Sequence, residues 1–447
     1  MNTGDFSQGR ISSHILRLGL PLMLAQFVQV AYNLVDRLYI GHMDASSPLA
    51  LTGLGLCFPL ITLITAFTNL WGLGGAPLCS IARGKKQEDH AKQILGNTLM
   101  GLIFTSLVLA VILEIFQKPI LIALGASKAT LPYAQSYLSI YLLGTPFLMI
   151  SAGMNGFLNL QGHARLGMMT VCLGAVINII LDPIFIFGLH MGIQGAAIAT
   201  ILSQFCSFLW VLAFLTGKKN QLPLTNFHHS VDFKIISKIL SLGLAGFIAT
   251  GSNALVSMVI NASLSFYGGD LYIGIMTILN SVRDVLFLPL EAMNGAIEPV
   301  IGYNLGAGCI SRIHETVRFT SKMVLIYLLV AWGILFFFPG QILTLFNNDP
   351  TLIQTGVPLF HTYYFGIFLM AGQYVGQGTF VGLNKPKYAI FFSMFRKIVI
   401  ILPLTLLLPL IPSVGILGIF LAEPISNLIG GSACYLTMRH TIRHLQA

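Results

Sequence analysis

The chain is poor in charge. Of 447 residues only 9% are Asp, Glu, Lys or Arg, and the acids number 15. Soluble domains carry about 25% charged residues, so an ordinary soluble fold is excluded. Long strand-like alternation of polar and apolar residues is missing, which argues against a membrane β-barrel. There is no CxxC, no Cys/His metal spacing, no HExxH and no Gly-rich phosphate loop. A metalloenzyme and an ATP-driven pump therefore find no support, and no nucleophile–base pairing marks an enzyme of another kind. Cofactors are not expected. The six cysteines (Cys57, Cys79, Cys172, Cys206, Cys309 and Cys434) are scattered, mostly in apolar runs, and no disulfides are expected.

What is abundant is apolar length. Hydrophobic residues make up 55% of the chain, and the mean hydropathy is +0.82. Apolar runs of about 20 residues recur, as membrane-spanning helices require. With barrels excluded, an all-α polytopic membrane protein remains. Twelve spans are predicted, at 15–40, 49–72, 92–116, 133–158, 166–187, 192–215, 235–266, 272–304, 314–338, 358–382, 388–411 and 414–437. The first 14 residues are polar and no cleavage-site pattern follows the first run, so that run is expected to be a retained helix.

The net charge of +9 could suggest a nucleic-acid partner. Its distribution gives a simpler account. Arg10, Arg83, Lys85, Lys86, Arg165, Lys218, Lys219, Lys234, Arg312, Lys385, Lys387, Arg439 and Arg443 fall at the termini or after even-numbered spans, against Lys118 and Lys128 on the other side. By the positive-inside rule both termini are cytoplasmic, and no nucleic-acid partner is needed.

The two halves repeat. "GIQGAAIATILS" (192–203) matches "GILGIFLAEPIS" (415–426), "ILRLGLP" (15–21) resembles "ILSLGLA" (239–245), and Pro77 and Gly84 match Pro299 and Gly306, all at offsets of 222 to 224. Six spans per half give a parallel repeat about an axis along the membrane normal. The expected organisation is a bundle at 1–215, a cytoplasmic linker at 216–234 and a second bundle at 235–447. Transporters built this way rock one half against the other.

Acids inside spans are costly and usually functional. The first span carries Gln26, Gln29, Asn33, Asp36 and Arg37 within an arc of roughly 100°, with Tyr32 bordering it. Asp36 and Asp182 each lie roughly 6–8 Å inside the outer boundary, and Thr200 about 12 Å. Asn178 and Asp182, at i and i+4, share a helix face. Pro183 removes a backbone donor and crowds the carbonyl of Ile179. These oxygens suit a hard cation. Equally, two carboxylates in a low dielectric do not readily both ionise, and could share a proton. A purely structural reading pairs Asp36 with Arg37 and leaves Asp182 capping a broken helix.

The eighth span carries a second stripe, Asn280, Asp284, Glu291, Asn294 and Glu298, within about 80°. It lines a cavity and attracts cations, or it forms an inter-helix hydrogen-bond seam. Arg283 could neutralise Asp284. Glu423 replaces Thr200 in the repeat, and Leu404 stands near the counterpart of Asp182, which favours a coupling site in the first half. Glu114 is expected at the interface. Arg396 and Lys397, about 12 Å inside the cytoplasmic end of their span, are long enough to snorkel.

"LPLMLAQFVQVAYNLVDRLYIGHMD" (20–44), "NIILDPIFIFGLHMGIQGAAIAT" (178–200) and "EPVIGYNLGAG" (298–308) resemble the multidrug and toxic compound extrusion (MATE) family over essentially the whole chain. The resemblance implies a V-shaped pair of six-helix bundles in the plasma (inner) membrane. It implies a monomer in lipid that exports small organic, often cationic, molecules in exchange for Na⁺ or H⁺. It is nearer the DinF-like and archaeal branch, whose ion-coupling residues carry over to Asp36, Asn178, Asp182 and Thr200, with Tyr32 and Asn155. Were the ion Na⁺, Asp36, Asn178, Asp182 and Thr200 would be its ligands. Gln29, Asn33, Asp284, Glu291, Glu298 and Glu423 are candidate cavity residues. The NorM-like branch has acids on its seventh and tenth helices, whereas 235–266 and 358–382 here contain none. The alternative within the superfamily is a lipid-linked oligosaccharide flippase, which would want clustered cavity cations to hold pyrophosphate.

Overall fold

The computed structural model describes residues 9–43, 47–84, 87–160, 164–217, 231–383 and 385–445, among which there is no strand. The helices are α1 (Ile11–Gly41), α2 (Ser47–Gly84), α3 (Glu88–Ala123), α4 (Leu131–Leu143), α5 (Thr145–Leu160), α6 (Ala164–Pro183), α7 (Gly192–Thr216) and α8 (Phe233–Gly268). They continue with α9 (Asp270–Gly306), α10 (Ile310–Phe337), α11 (Pro339–Phe346), α12 (Pro350–Tyr364), α13 (Met370–Gly382), α14 (Pro386–Met394), α15 (Leu402–Leu407) and α16 (Leu417–Arg443). The chain forms two compact units, one of residues 31–265 and one of residues up to 30 together with those from 266 onward.

Each predicted span overlaps a helix, but some spans are broken. Among the described residues nine helices are long and apolar enough to cross a membrane, or ten if α4 and α5, bent by 56°, count as one. The bend falls at Gly144–Thr145–Pro146, where proline cannot complete the helical hydrogen bonds. The predicted span 358–382 is interrupted at Gly366, whose φ of 69° is left-handed and ends α12. The stretch 339–357, outside every predicted span, holds α11 and the start of α12. There Asp349 accepts a hydrogen bond from the Thr351 backbone N–H at 2.8 Å and Pro350 opens the helix.

The outside is apolar. On α3, Phe104, Leu107, Val111 and Ile115 are 53–69% exposed at three- and four-residue spacing. In water such a row would be a large unsatisfied patch; facing lipid it costs nothing. The inside is packed by small residues, as helix association in lipid favours. Within residues 31–265, α8 lies directly on α2. A Cβ on Gly243 would collide with the Leu70 carbonyl oxygen, and one on Gly74 with that of Ile239. Asn69 Nδ2 donates to Thr250 Oγ1 at 3.0 Å across the same crossing.

The repeat is visible in local geometry. A Cβ on Gly195 would lie 2.8 Å from the carbonyl carbon of Phe185, and one on Gly418 would lie 2.8 Å from that of Leu408, two pairs with the same offset of 223. Ser203 Oγ donates to the Thr200 carbonyl and Ser426 Oγ to the Glu423 carbonyl, both at 2.7 Å. Gly195→Ala and Gly418→Ala are therefore expected to destabilise their units by similar amounts, about 1–3 kcal/mol each. Thermal melts in detergent check this; a loss in one variant alone would break the equivalence.

Candidate functional site

Asp36, Asn178, Asp182 and Thr200 all lie in the unit of residues 31–265. Asp36 comes from α1, Asn178 and Asp182 from α6, and Thr200 from α7. Their exposures are 8, 1, 0 and 7%. The α6 pair meets through its four-residue spacing: Asn178 Nδ2 donates to Asp182 Oδ1 at 3.1 Å. The same amide group lies 3.5 Å from Thr200 Oγ1. Thr200 spends its own proton on the Ala196 carbonyl at 2.9 Å, which leaves its oxygen lone pairs facing the amide. The Asp36 and Asp182 carboxyl groups are close enough to repel one another when both are ionised.

Three oxygens of this group are buried and have no hydrogen-bond partner: Asp36 Oδ1, Asn178 Oδ1 and Asp182 Oδ2. Buried polar atoms are normally satisfied, and leaving a carboxylate oxygen bare is expensive. With Thr200 Oγ1 they make an oxygen-only donor set of two acids, an amide and a hydroxyl, which fits a hard cation or a shared proton. Among the described residues no group of three or more His, Cys, Asp or Glu is arranged as a metal site.

The helix changes pitch beside these residues. After Pro183 the backbone widens into a π-turn at Ile184–Gly188, with the Leu189 N–H donating to the Ile184 carbonyl at 2.8 Å. Such turns within helices are frequent at functional sites. The Arg37 guanidinium lies over the Phe58 ring, 4.3 Å from its centroid.

Of the other expected residues, Asn155 on α5 has its Oδ1 buried without a partner. Gln29, Tyr32 and Asn33 sit on α1, but their side chains lie outside those described. One contributor went unread in the sequence. Tyr137 of α4, 3% exposed, approaches both Asp36 and the Thr200 side chain. The signal available was the recurrence of Tyr133, Tyr137 and Tyr141 at four-residue steps.

The stripe on α9 divides. Asp284 and Glu291 are exposed, whereas Glu298 is half-buried. Asn280 accepts a hydrogen bond from Tyr363 Oη at 3.5 Å, and Asn294 packs over Gly378 of α13. Glu423, 7% exposed, is enclosed within its own unit. Arg396 does not snorkel. It is 8% exposed, and its Nη1 donates to Glu423 Oε1 at 3.0 Å and to Asn427 Oδ1 at 3.1 Å. Glu114 is exposed and accepts from Ser139 Oγ at 3.1 Å.

The sequence model of the MatE family matches residues 21–184 and 247–407. The chain is similar to the multidrug export protein MepA of Staphylococcus haemolyticus, 27% identical over 350 residues that make up 78% of this chain and 76% of that protein. It is also similar to a FAD transporter of Shewanella oneidensis, 27% identical over 436 residues, 94% of this chain and 93% of that one. A solved structure described as the inward-facing conformation of a multidrug resistance MATE family transporter of the MOP superfamily shares its fold, with a TM-score of 0.87 at 21% identity, covering 95% of this chain and 98% of that chain.

Proposed function

The chain belongs to the MatE family, whose members are membrane transporters rather than enzymes, and on that premise we propose that it is a secondary active exporter exchanging Na⁺ or H⁺ for small organic molecules by alternating access. The observation that carries this is the set of partnerless buried oxygens on Asp36, Asn178 and Asp182. A cation or proton bound there neutralises charge that the membrane interior otherwise penalises. Ion binding thereby changes the relative stability of two conformations, which is what coupling requires. The driving force suffices: one monovalent cation moving down 100 mV releases about 2.3 kcal/mol, enough for roughly a 50-fold gradient of a neutral substrate.

The same reading places the protein in the plasma membrane as a monomer with both termini cytoplasmic. Twelve spans form two six-helix halves, 1–215 and 235–447; most of the linker between them, 216–234, lies outside the described residues. The matched glycine and serine contacts of the repeat support the two halves. The pattern of Asp36, Asn178, Asp182 and Thr200, with no acid in 235–266 or 358–382, supports the DinF-like and archaeal branch.

The deciding experiment imposes Na⁺ and pH gradients separately on proteoliposomes loaded with a fluorescent organic substrate. Efflux is expected with one gradient and not without any. Equal efflux in the absence of both gradients would refute coupled export.

A further inference from the structure

The unit formed by residues up to 30 and from 266 onward holds a second buried charge cluster that the ion-coupling reading leaves unused. Glu423 of α16 sits between two guanidiniums. Arg396 Nη1 is 3.0 Å from its Oε1, and Arg283 Nη1 is 4.0 Å from the same atom. Arg396 lies in a π-turn at Phe395–Ile401, which turns its side chain toward α16. Two guanidiniums thus converge on one acid, and Asp284 also acts on Arg283.

Charged groups inside a membrane protein are costly and usually functional. Two features of the arginines point to a ligand. Arg396 Nε is buried with no partner, a donor that Glu423 does not use. Arg283, whose side chain is 31% exposed against 9% for Arg396, donates one N–H to Tyr363 Oη at 2.9 Å and is the accessible member of the pair. Guanidinium forks bind carboxylate and phosphate in paired hydrogen bonds. Glu423, seated between the two guanidiniums, would compete with such a group.

We propose that Arg283 and Arg396 form a binding site for an anionic group, a phosphate or carboxylate, carried by the transported molecule or by a lipid headgroup. The assignment deepens the exporter reading by naming a substrate class and rests on it for the word substrate. Its test needs no gradient, so it can fail or succeed independently of coupling.

The probe is inorganic pyrophosphate, titrated into the detergent-solubilised full chain at constant ionic strength and read by thermal shift and calorimetry. Wild type is expected to be stabilised by pyrophosphate and not by an equal charge of chloride. Arg283→Gln should weaken binding about tenfold, the equivalent of one charge-assisted hydrogen bond. Glu423→Gln should tighten it by a similar factor, because it removes the competing anion. A purely structural ion pair predicts the opposite for Glu423→Gln: a lower melting point and no gain in binding. Repeating the titration in nanodiscs of phosphatidylcholine with and without phosphatidylglycerol separates the two sources. Displacement of pyrophosphate by phosphatidylglycerol assigns the site to a headgroup, and persistence assigns it to a soluble anion. No pyrophosphate binding at millimolar concentration, or binding unchanged in both variants, overturns the proposal.

Discussion

Asp182→Asn is expected to abolish gradient-driven efflux while the chain still folds. The side chain is fully buried. Its Oδ1 receives the Asn178 amide at 3.1 Å and its Oδ2 faces no donor. Asparagine preserves the volume but removes the negative charge, and it sets one NH₂ group either against Asn178 Nδ2 or into the place of the missing ligand. Losing a charged partner in a buried site costs about 3 kcal/mol, roughly a 100-fold drop in ion affinity. Asp36→Asn should have the same effect, since its free Oδ1 belongs to the same donor set. The double variant should be no worse than either single one, as expected of groups that act together. Initial efflux rates in proteoliposomes, with size-exclusion profiles as the folding control, are the measurement. Full activity in both single variants would remove these carboxylates from the mechanism.

Gly243→Val is expected to be among the most destabilising single changes in the unit of residues 31–265. At this position α8 touches α2 backbone to backbone, and the atom in the way is a carbonyl oxygen that no rotamer change can move aside. Overpacking of a yielding site costs about 1–3 kcal/mol; here the helices must separate, taking with them the 3.0 Å Asn69–Thr250 bond. The loss should lie above that range. Gly251→Ala, two turns along the same helix, is the control, because its added carbon would meet only Ala66 Cβ at 3.9 Å. Melting in detergent should fall sharply for Gly243→Val and stay near wild type for Gly251→Ala. A wild-type melt for Gly243→Val would mean that α8 does not rest on α2.

Much of the ion-coupling candidate is legible in the sequence, because it depends on regular helix geometry. A four-residue step puts Asn178 and Asp182 on one face, and a rise of about 1.5 Å per residue brings Asp36 and Thr200 near their depth. What escaped depends on irregular geometry. Arg396 looked able to reach the interface because a regular helix was assumed; the π-turn from Phe395 to Ile401 turns it inward. The breaks at Gly144 and Gly366 lie within mainly apolar runs, where hydropathy carries no mark of a bend; at the first the mark was Pro146 itself. Tyr137 was hidden for another reason: its role comes from helices distant in sequence, and an aromatic in a membrane span is ordinary.

The serine bonds at 203 and 426 bear on how the two copies diverged. In each, the hydroxyl holds the main-chain carbonyl of the residue three places earlier, Thr200 in one copy and Glu423 in the other. Because the bond is made to backbone, the helical turn tolerates whatever side chain stands there. The same scaffold therefore carries a neutral hydroxyl beside two acids at position 200 and a carboxylate beside two arginines at position 423.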